Sequence, residues 1–364
     1  MCIRDRFCDF HGLARVDGGM VEWTVRHHLL MSMTAQRKDI SDVDVIREFA
    51  DTVSSTKHLN HLYLLTVADM RATNPELWNS FKQNLLYDLY ETTRRWLLRG
   101  PDDPLDKGEI LSEKKQAALQ LLSTSDFQQD EIFPLWEQLG DTYHLRYQPN
   151  EIARHTETIL GHKTNEYPLI RLRTSVRRGS TEVFVFMPDH ERLFANVTAV
   201  LGNLNLDIQS AIITTTTSGF ALDSFFVLDE AGQIIEEPAR IEHIKSALEK
   251  TLSDTDQPHT PITARVPRIL RHFDIQPMIE INTIESVNQS SVHIDAVDQP
   301  GLLSAIARVF SELDLQINDA RIVTLGERIE DTFFVSDQDG NAVTEEDDLK
   351  NLRTRLLEVL EDHR

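Results

Sequence analysis

The pentapeptide Asp223-Ser224-Phe225-Phe226-Val227 recurs, with serine changed to threonine, as Asp331-Thr332-Phe333-Phe334-Val335. Upstream of this pair, matching residues recur at a constant offset of 109 positions: Pro168/Pro277, Asp189/Asp298, Leu193/Leu302, Val200/Val309, Leu204/Leu313, Ile208/Ile317 and Ala211/Ala320. The pentapeptides are offset by 108 positions, and a hairpin turn one residue shorter in the later copy would produce this difference. A collinear series of this length indicates a duplicated structural unit.

Both copies show the same order of strand and helix patterns. The first copy predicts strands at about 168–174, 181–187, 206–216 and 220–228, with helices at 192–204 and 238–252. The second copy predicts strands at about 277–283, 291–297, 315–325 and 328–336, with helices at 301–313 and 345–361. Alternating apolar residues such as Val183, Val185 and Met187 place one sheet face on a core. We therefore predict two small α/β sandwiches, each an antiparallel sheet with helices on one face.

The chain before the repeat is predicted to be helical. Helical spacing of apolar residues predicts helices over about 18–38, 42–53, 58–72, 109–122 and 126–139, and another between Asn74-Pro75 and Gly100. The polar stretch 101–108 is typical of a linker. This part of the sequence predicts a helical bundle followed by a helical connector.

Composition excludes several classes of function. The chain has 364 residues and a formal net charge of −22, which disfavours binding to nucleic acid or to an anionic membrane. No apolar run approaches the roughly 20 residues that span a bilayer. The only cysteines, Cys2 and Cys8, cannot form a disulfide framework or a complete structural zinc site. We expect a cytoplasmic protein.

Two equivalent loops are candidate ligand sites. In the second copy, Asp298-Gln299-Pro300-Gly301-Leu302 leads from a strand into a helix, whose free N–H groups suit a carboxylate, and Gly301 permits close approach to the backbone. In the first copy, Asp189-His190-Glu191-Arg192-Leu193 has Arg192 in place of Gly301. That loop is either a degenerate one that serves only in pairing or one that binds a carboxylate through the guanidinium. Asn318 is a candidate for reading polar groups of a ligand in the second copy.

The loop within this fold resembles that of the ACT domain, a module that senses small molecules, often amino acids. Residues 318–334, Asn-Asp-Ala-Arg-Ile-Val-Thr-Leu-Gly-Glu-Arg-Ile-Glu-Asp-Thr-Phe-Phe, look like the last ACT repeat of the bifunctional uridylyltransferase/uridylyl-removing enzymes. Residues 25–37, 65–74 and 77–83 resemble the end of the HD phosphohydrolase domain of the same family. The resemblance extends from about residue 7 to the C-terminus.

The resemblance implies an α+β chain that begins with an all-helical remnant of an HD domain and a helical connector and ends in two ferredoxin-like ACT sandwiches. The implied boundaries are 1–100 for the HD remnant, 101–165 for the connector, and 166–256 and 257–364 for the ACT domains. The family modifies and demodifies a PII signal protein and senses glutamine through its ACT repeats. A stand-alone amino-acid-binding regulator without catalysis, or a different ACT-regulated enzyme of amino-acid metabolism, are the alternatives.

Catalytic parts of that family have no counterpart in this sequence. The nucleotidyltransferase motif is absent, and Asp9-Phe10-His11 is not the His-Asp pair of an HD domain. By resemblance, Asp69 and His28 match two metal ligands from the later part of the HD domain sequence. That site would hold magnesium or manganese in the full-length enzyme. The other interpretations are a structural cap or buried hydrogen bond for Asp69 and a packed core histidine for His28. We expect no bound metal and no activity from this chain alone, and we interpret residues 1–6 as a false start from a truncated gene.

The topology of each copy departs from an ordinary ACT unit, which runs β-α-β-β-α-β. The second copy ends in its helix, so no residues remain for the usual last strand. The strand-like segments 169–173 and 278–282 stand upstream of each first strand, and the prolines before them suit a sheet edge. We therefore predict the order β-β-α-β-β-α, with the early strand in the place of the last one. The alternative is that these segments are ordered linkers.

Overall fold

The computed structural model describes residues 10–12, 14–73, 78–100, 106–164, 166–190, 192–253, 276–284, 288–297, 299, 301–322, 324–325 and 328–362. The chain divides into two compact units, Met1–Glu109 and Ile110–Arg364. None of the described helices combines the length and apolar composition that crossing a bilayer requires.

The first unit is helical. Its helices are α1 (Arg15–Arg26), α2 (Leu30–Arg37), α3 (Val43–Val53), α4 (Thr56–Thr73) and α5 (Ser80–Arg99). Their core consists of buried apolar side chains from α2 to α5: Met31, Ala35, Ile46, Phe49, Val53, Leu59, Leu62, Leu86 and Leu89. The prediction of a single helix over about 18–38 is wrong, because the helical conformation is interrupted between α1 and α2. The predicted cap at residues 74–75 lies outside the described residues, and the cap of α5 is Asn79, whose side chain accepts from the Lys82 N–H at 2.9 Å.

Three connector helices follow: α6 (Lys107–Leu122), α7 (Gln129–Arg146) and α8 (Pro149–Leu160). Helix α7 changes direction at Gly140, whose φ of 75° is left-handed. The sequence analysis missed α8, although its start carries two helix signals. Pro149 occupies the first turn, and Gln148 and Glu151 form a capping box.

One antiparallel sheet contains both copies of the repeat. Its strands are β1 (Leu169–Ser175), β2 (Ser180–Pro188), β3 (Asp207–Thr215), β4 (Phe220–Leu228), β5 (Met278–Ile284), β6 (Gln289–Val297), β7 (Gln316–Arg321), β8 (Thr324–Leu325) and β9 (Arg328–Ser336). Their order is β1-β2-β4-β3-β7-β9-β6-β5, and β8 pairs with β9.

The early strands are real and lie at the two edges of the sheet. Leu172 of β1 lies opposite Val183, and Ile281 of β5 lies opposite Val292, so the two pairings are equivalent. Both strands begin one residue after the prolines that the sequence offered as edge markers. The predicted order β-β-α-β-β-α is confirmed, and the linker alternative is wrong.

The two copies join along β3 and β7, which the sequence analysis did not predict. Ala211 lies opposite Ala320 in this pairing. The Ser304 hydroxyl donates to the carbonyl of Ala195 at 3.0 Å between helices α9 (Leu193–Asn203) and α11 (Leu302–Glu312). Each contact joins residues 109 positions apart, so an approximate two-fold axis relates the copies.

Helices cover one face of the sheet. They are α9, α10 (Pro238–Leu252), α11 and α12 (Glu346–Asp362). The predicted inward residues Val183 and Val185 are fully buried beneath this layer. The opposite face of the first copy is also buried, for Phe184 is 3% exposed and stacks on His155 of α8 with ring centroids 4.7 Å apart. The connector therefore packs against the sheet.

A buried polar group, here called the Glu182 cluster, ties α7 and α8 to this outer face. It consists of Tyr143, His155, Glu182 and Ser224. The Nε2 atom of His155 lies 2.9 Å from Glu182 Oε1, and Ser224 donates to the same oxygen at 3.0 Å. The Tyr143 hydroxyl lies 2.9 Å from His155 Nδ1. Every member is at most 3% exposed, so the cluster has exchanged water for protein partners.

Stability is expected to depend on acid through Glu182. Burial alone would raise the pKa of Glu182, but His155, Arg154 and Arg178 outweigh burial and lower it from 4.5 to about 2. A lowered carboxyl pKa stabilises the fold at pH values above the pKa of the same group in the unfolded chain. This contribution is lost as the pH falls from about 4.5 towards 2. At pH 7, Glu182→Gln should cost roughly 3 kcal/mol of unfolding free energy.

The measurement is denaturant unfolding of wild type and Glu182→Gln at several pH values between 7 and 2. The difference between the two proteins should be largest above pH 5 and should narrow steadily in acid. The exposed Glu157→Gln is the matched control, and it should follow wild type throughout. A difference for Glu182→Gln that stays constant down to pH 3 would contradict the assignment.

Candidate functional site

A cavity of about 340 Å³ lies between the two copies of the repeat. Its first-copy walls come from the loop after β2, the first turn of α9, and strands β3 and β4. Its second-copy walls come from the end of α11, the start of β7 and the turn after β9. The lining residues are Asp189, His190, Leu193, Phe194, Ala195, Ile213, Thr215, Asp223, Ala307, Ser311, Asp314, Leu315, Gln316, Ile317 and Gln338.

Two of the three residues predicted in the first loop line this cavity. Thr215 donates to Asp189 Oδ2 at 2.8 Å, and the Asp189 N–H donates to the Gly219 carbonyl at 3.0 Å, so the β3–β4 hairpin fixes the loop. His190 is half buried, and burial lowers the pKa of His190, helped by Arg192 and opposed by Asp189. Arg192 is exposed at the cap of α9 and is not among the lining residues.

Asp223 is a site residue that the sequence analysis used only as a marker of the repeat. It lies on β4, is 1% exposed, and lines the cavity. Burial raises the pKa of Asp223 well above its usual value, the charge of Asp189 adds to the rise, and the Thr214 N–H partly opposes it. The signal in the sequence was a carboxylate within the apolar strand Phe220–Leu228.

The second loop is only partly described, since Asp298 and Pro300 lie outside the described residues. Gly301 has a φ of 91°, which favours glycine, whereas Arg192 has a φ of −106° at the equivalent cap. The Leu302 N–H donates to the Gln299 carbonyl at 3.1 Å, and the Leu302 side chain is 3% exposed in the core. The two loops therefore differ in backbone as well as in side chain.

The structure does not bring Asn318 to the second loop. That loop follows Val297, which lies opposite Arg328 at the beginning of β9. Asn318 sits in a bulge of β7 and donates to Ser336 Oγ at 3.0 Å, at the other end of β9. Asn318 instead follows Ile317 and lies next to the wall that β7 gives to the first-loop cavity.

The two residues proposed for a metal site are both exposed on the helical unit. His28 lies in the break between α1 and α2, where its Nδ1 is 2.9 Å from the Val25 carbonyl, so a packed core histidine is wrong. Asp69 is exposed on α4. Within the described part of the chain, no three histidine, cysteine, aspartate or glutamate side chains group as metal ligands. The described residues thus do not form a metal site.

Comparison with known proteins finds relatives along nearly the whole chain. The chain is 42% identical over 360 residues to the bifunctional uridylyltransferase/uridylyl-removing enzyme of Ectopseudomonas mendocina, a match that covers 98% of this chain and 40% of the relative. The enzymes of the same name from Pseudomonas aeruginosa and Azotobacter vinelandii are each 41% identical over the same shares.

The chain is a homologue of the bifunctional uridylyltransferase/uridylyl-removing enzymes. Family models agree with this relationship and fit the C-terminal portion of such enzymes. Residues 106–158 match the model of the uridylyltransferase GlnD fifth domain. Residues 286–359 match the ACR family N-terminal ACT domain, and residues 174–253 match the ACT-like domain of plant bHLH transcription factors.

The chain spans about 40% of the length of the curated relatives that it matches. The fifth-domain match covers most of the connector helices, and the two ACT matches fall one on each copy of the repeat. No solved structure matches the chain significantly.

Proposed function

We propose that this chain is a glutamine-sensing regulatory region that controls uridylylation and deuridylylation of a PII signal protein in nitrogen regulation, in the cytoplasm. The observation that carries the proposal is 42% identity over 360 residues to an enzyme named for both reactions. The ACT matches on both copies support an amino-acid effector. The transferase and hydrolase reactions, with the magnesium or manganese that they use in the family, belong to the whole enzyme.

Control of two opposing reactions requires that the effector bind the two states of the enzyme with different affinity. A cavity whose walls come from two copies of a repeat suits this task, because any shift between the copies changes the cavity. The connector reaches the same region, since Arg146 of α7 donates to the Asn318 carbonyl at 2.6 Å. Arg146 thus offers a path from the sensor towards the helices before it.

Two positions are proposed for glutamine, one beside each loop. The first is the cavity beside Asp189 and His190. The second is the loop that contains Gln299 and Gly301, where the backbone at the start of α11 would receive the ligand carboxylate. The approximate two-fold axis relates these positions, so each would combine a loop of one copy with a strand of the other.

Calorimetry of the 364-residue chain with L-glutamine tests the proposal. Wild type should bind glutamine at both positions. Gly301→Arg should remove one of them, because a Cβ and a long side chain at a left-handed position disturb the loop backbone. Arg192→Gly is the matched control and should retain both, since Arg192 is exposed and is not among the residues that line the cavity. Absence of glutamine binding by wild type would contradict the proposed function, and unchanged binding by Gly301→Arg would contradict the second position.

A further inference from the structure

Asp223 lines the cavity, and one of its carboxylate oxygens is buried with no hydrogen-bond partner among the described residues. Alternation along β4 places Asp223 on the same face as Ala221 and Phe225, which belong to the core beneath the helices. The Oδ1 atom of Asp223 is buried and accepts no hydrogen bond from any described residue. Burial disfavours the ionised form of this carboxyl group, as its raised pKa reflects, and a positively charged partner would compensate that cost. The site is therefore built for a group that arrives from outside the fold.

The surroundings of Asp223 favour a positively charged group. Asp189 and Asp314 also line the cavity, and among the described lining residues there is no lysine or arginine. Gln338 donates to Asp314 at 3.4 Å, and Thr215 donates to Asp189, so these two aspartates already have partners at the rim. Asp223 is the most buried of the three, and its Oδ1 atom is buried without a donor among the described residues.

His190 supplies a second unpaired group of different character. Its Nε2 atom is buried without a hydrogen-bond partner among the described residues. Since burial lowers the pKa of His190, the imidazole is neutral at neutral pH and can donate or accept one hydrogen bond. A neutral ring of this kind suits an uncharged polar group such as an amide or hydroxyl.

We propose that the cavity binds the ammonium group of its ligand on Asp223 Oδ1 and an uncharged polar group of the same ligand on His190 Nε2. The ligand class is a small amino acid or other primary amine that carries a neutral polar group, of a size that about 340 Å³ can hold. This inference rests on the proposed function, because glutamine has an α-ammonium and a side-chain amide. It goes further by naming the residues that recognise each group and by assigning the first loop a ligand.

The test is calorimetry of the full chain in the Gly301→Arg background, where the cavity is the remaining position. Asp223→Asn should weaken glutamine binding about 10- to 100-fold, the usual worth of a charge-assisted hydrogen bond. The exposed Asp348→Asn removes the same charge elsewhere and should bind as its parent does. 4-Carbamoylbutanoate, which is glutamine without the ammonium, should bind weakly and with the same affinity to the parent and to the Asp223→Asn variant.

Thermal unfolding without ligand gives a second readout, because replacing an aspartate with a merely structural role would lower the melting temperature. In Asp223→Asn an amide replaces a carboxyl group whose ionised form is disfavoured by burial, so the melting temperature of the ligand-free variant should equal or exceed that of wild type. Equal glutamine affinity of the Asp223→Asn and parent proteins would overturn the inference and leave the proposed function intact. If wild type binds no glutamine, the proposed function fails. The inference then requires another primary amine with a neutral polar group, such as serine or asparagine, to bind in an Asp223-dependent way, and it is overturned if neither does.

Discussion

Replacing Arg178 by methionine is expected to lower the free energy of unfolding of the second unit by about 3–5 kcal/mol. Arg178 lies in the turn between β1 and β2 and forms a bidentate ion pair with Glu151 of α8, at 2.6 and 2.9 Å. The Glu151 side chain is 1% exposed. Burial alone would raise the pKa of Glu151, but the Arg178 guanidinium outweighs it and holds this pKa below its usual value.

The loss of unfolding free energy in Arg178→Met is large because the substitution removes several interactions at once. Its Nη2 also donates to the Arg146 carbonyl at 3.1 Å, and its guanidinium carbon lies 4.3 Å from the centre of the Phe226 ring. Methionine retains much of the apolar volume but leaves the Glu151 carboxylate buried without a counter-charge. The loss therefore comes mainly from the uncompensated charge and less from packing.

Denaturant unfolding measures this effect, and two further variants identify its origin. Arg177→Met changes the neighbouring residue, which is exposed, and should alter stability by less than about 1 kcal/mol. The double variant Arg178→Met with Glu151→Met should recover much of the loss, because it removes the stranded carboxylate. A single variant as stable as wild type, or a double variant no better than Arg178→Met, would contradict this account.

The repeat made the fold within each copy predictable. Because an offset of 109 residues before the hairpin and 108 after it aligns the strands and helices of the two copies, a weak pattern in one copy was supported by its partner in the other. The one-residue slip was also interpreted correctly, since the bulges at Gln209 and Asn318 are still 109 residues apart and the difference falls in the hairpin that follows each of them. The early edge strands followed from the same register.

Contacts between copies were not predictable in the same way. The pairing of β3 with β7 needs only backbone groups and small residues such as Ala211 and Ala320, which leave no distinctive pattern in a sequence. The cavity depends on that pairing, so neither its walls nor the role of Asp223 could be derived from local motifs. The sequence left two interpretations of the first loop, a degenerate loop or a ligand site. Because Asp189 and His190 line the cavity, we propose the ligand site.

On the sheet face opposite the helices, the first copy carries apolar residues that a solvent-exposed face would not have. Glu182, Phe184 and Phe186 point away from the helices, and two phenylalanines on a supposed outer face indicate a cover. The cover is the connector, and its helix α8 was missed. Helix α8 contributes His155 and Glu151, so missing it concealed both the Glu182 cluster and the Arg178 ion pair.

Removing strand β5, residues 278–284, is expected to unfold the second copy rather than loosen it. Strand β5 pairs with β6 along seven residues, so its loss exposes the ladder groups of β6. It also packs beneath α12, whose Leu352, Leu356 and Leu360 share a core with Ile279. Hydrogen exchange should show amides of β6 and β9 losing protection while β1 and β2 keep theirs.

Two point variants on β5 separate burial from the mere presence of an edge strand. Ile279 is 5% exposed and Met278 is 44% exposed, so adjacent residues face opposite sides of the sheet. Ile279→Asp should cost more than about 3 kcal/mol of unfolding free energy, because it buries an unpaired carboxylate in place of an apolar side chain. Met278→Asp, the same substitution on the exposed side, should cost less than about 1 kcal/mol. If both variants lose equal stability, or if the deletion leaves β6 and β9 protected, then β5 does not complete the core of the second copy and the edge strand is only an attachment to it.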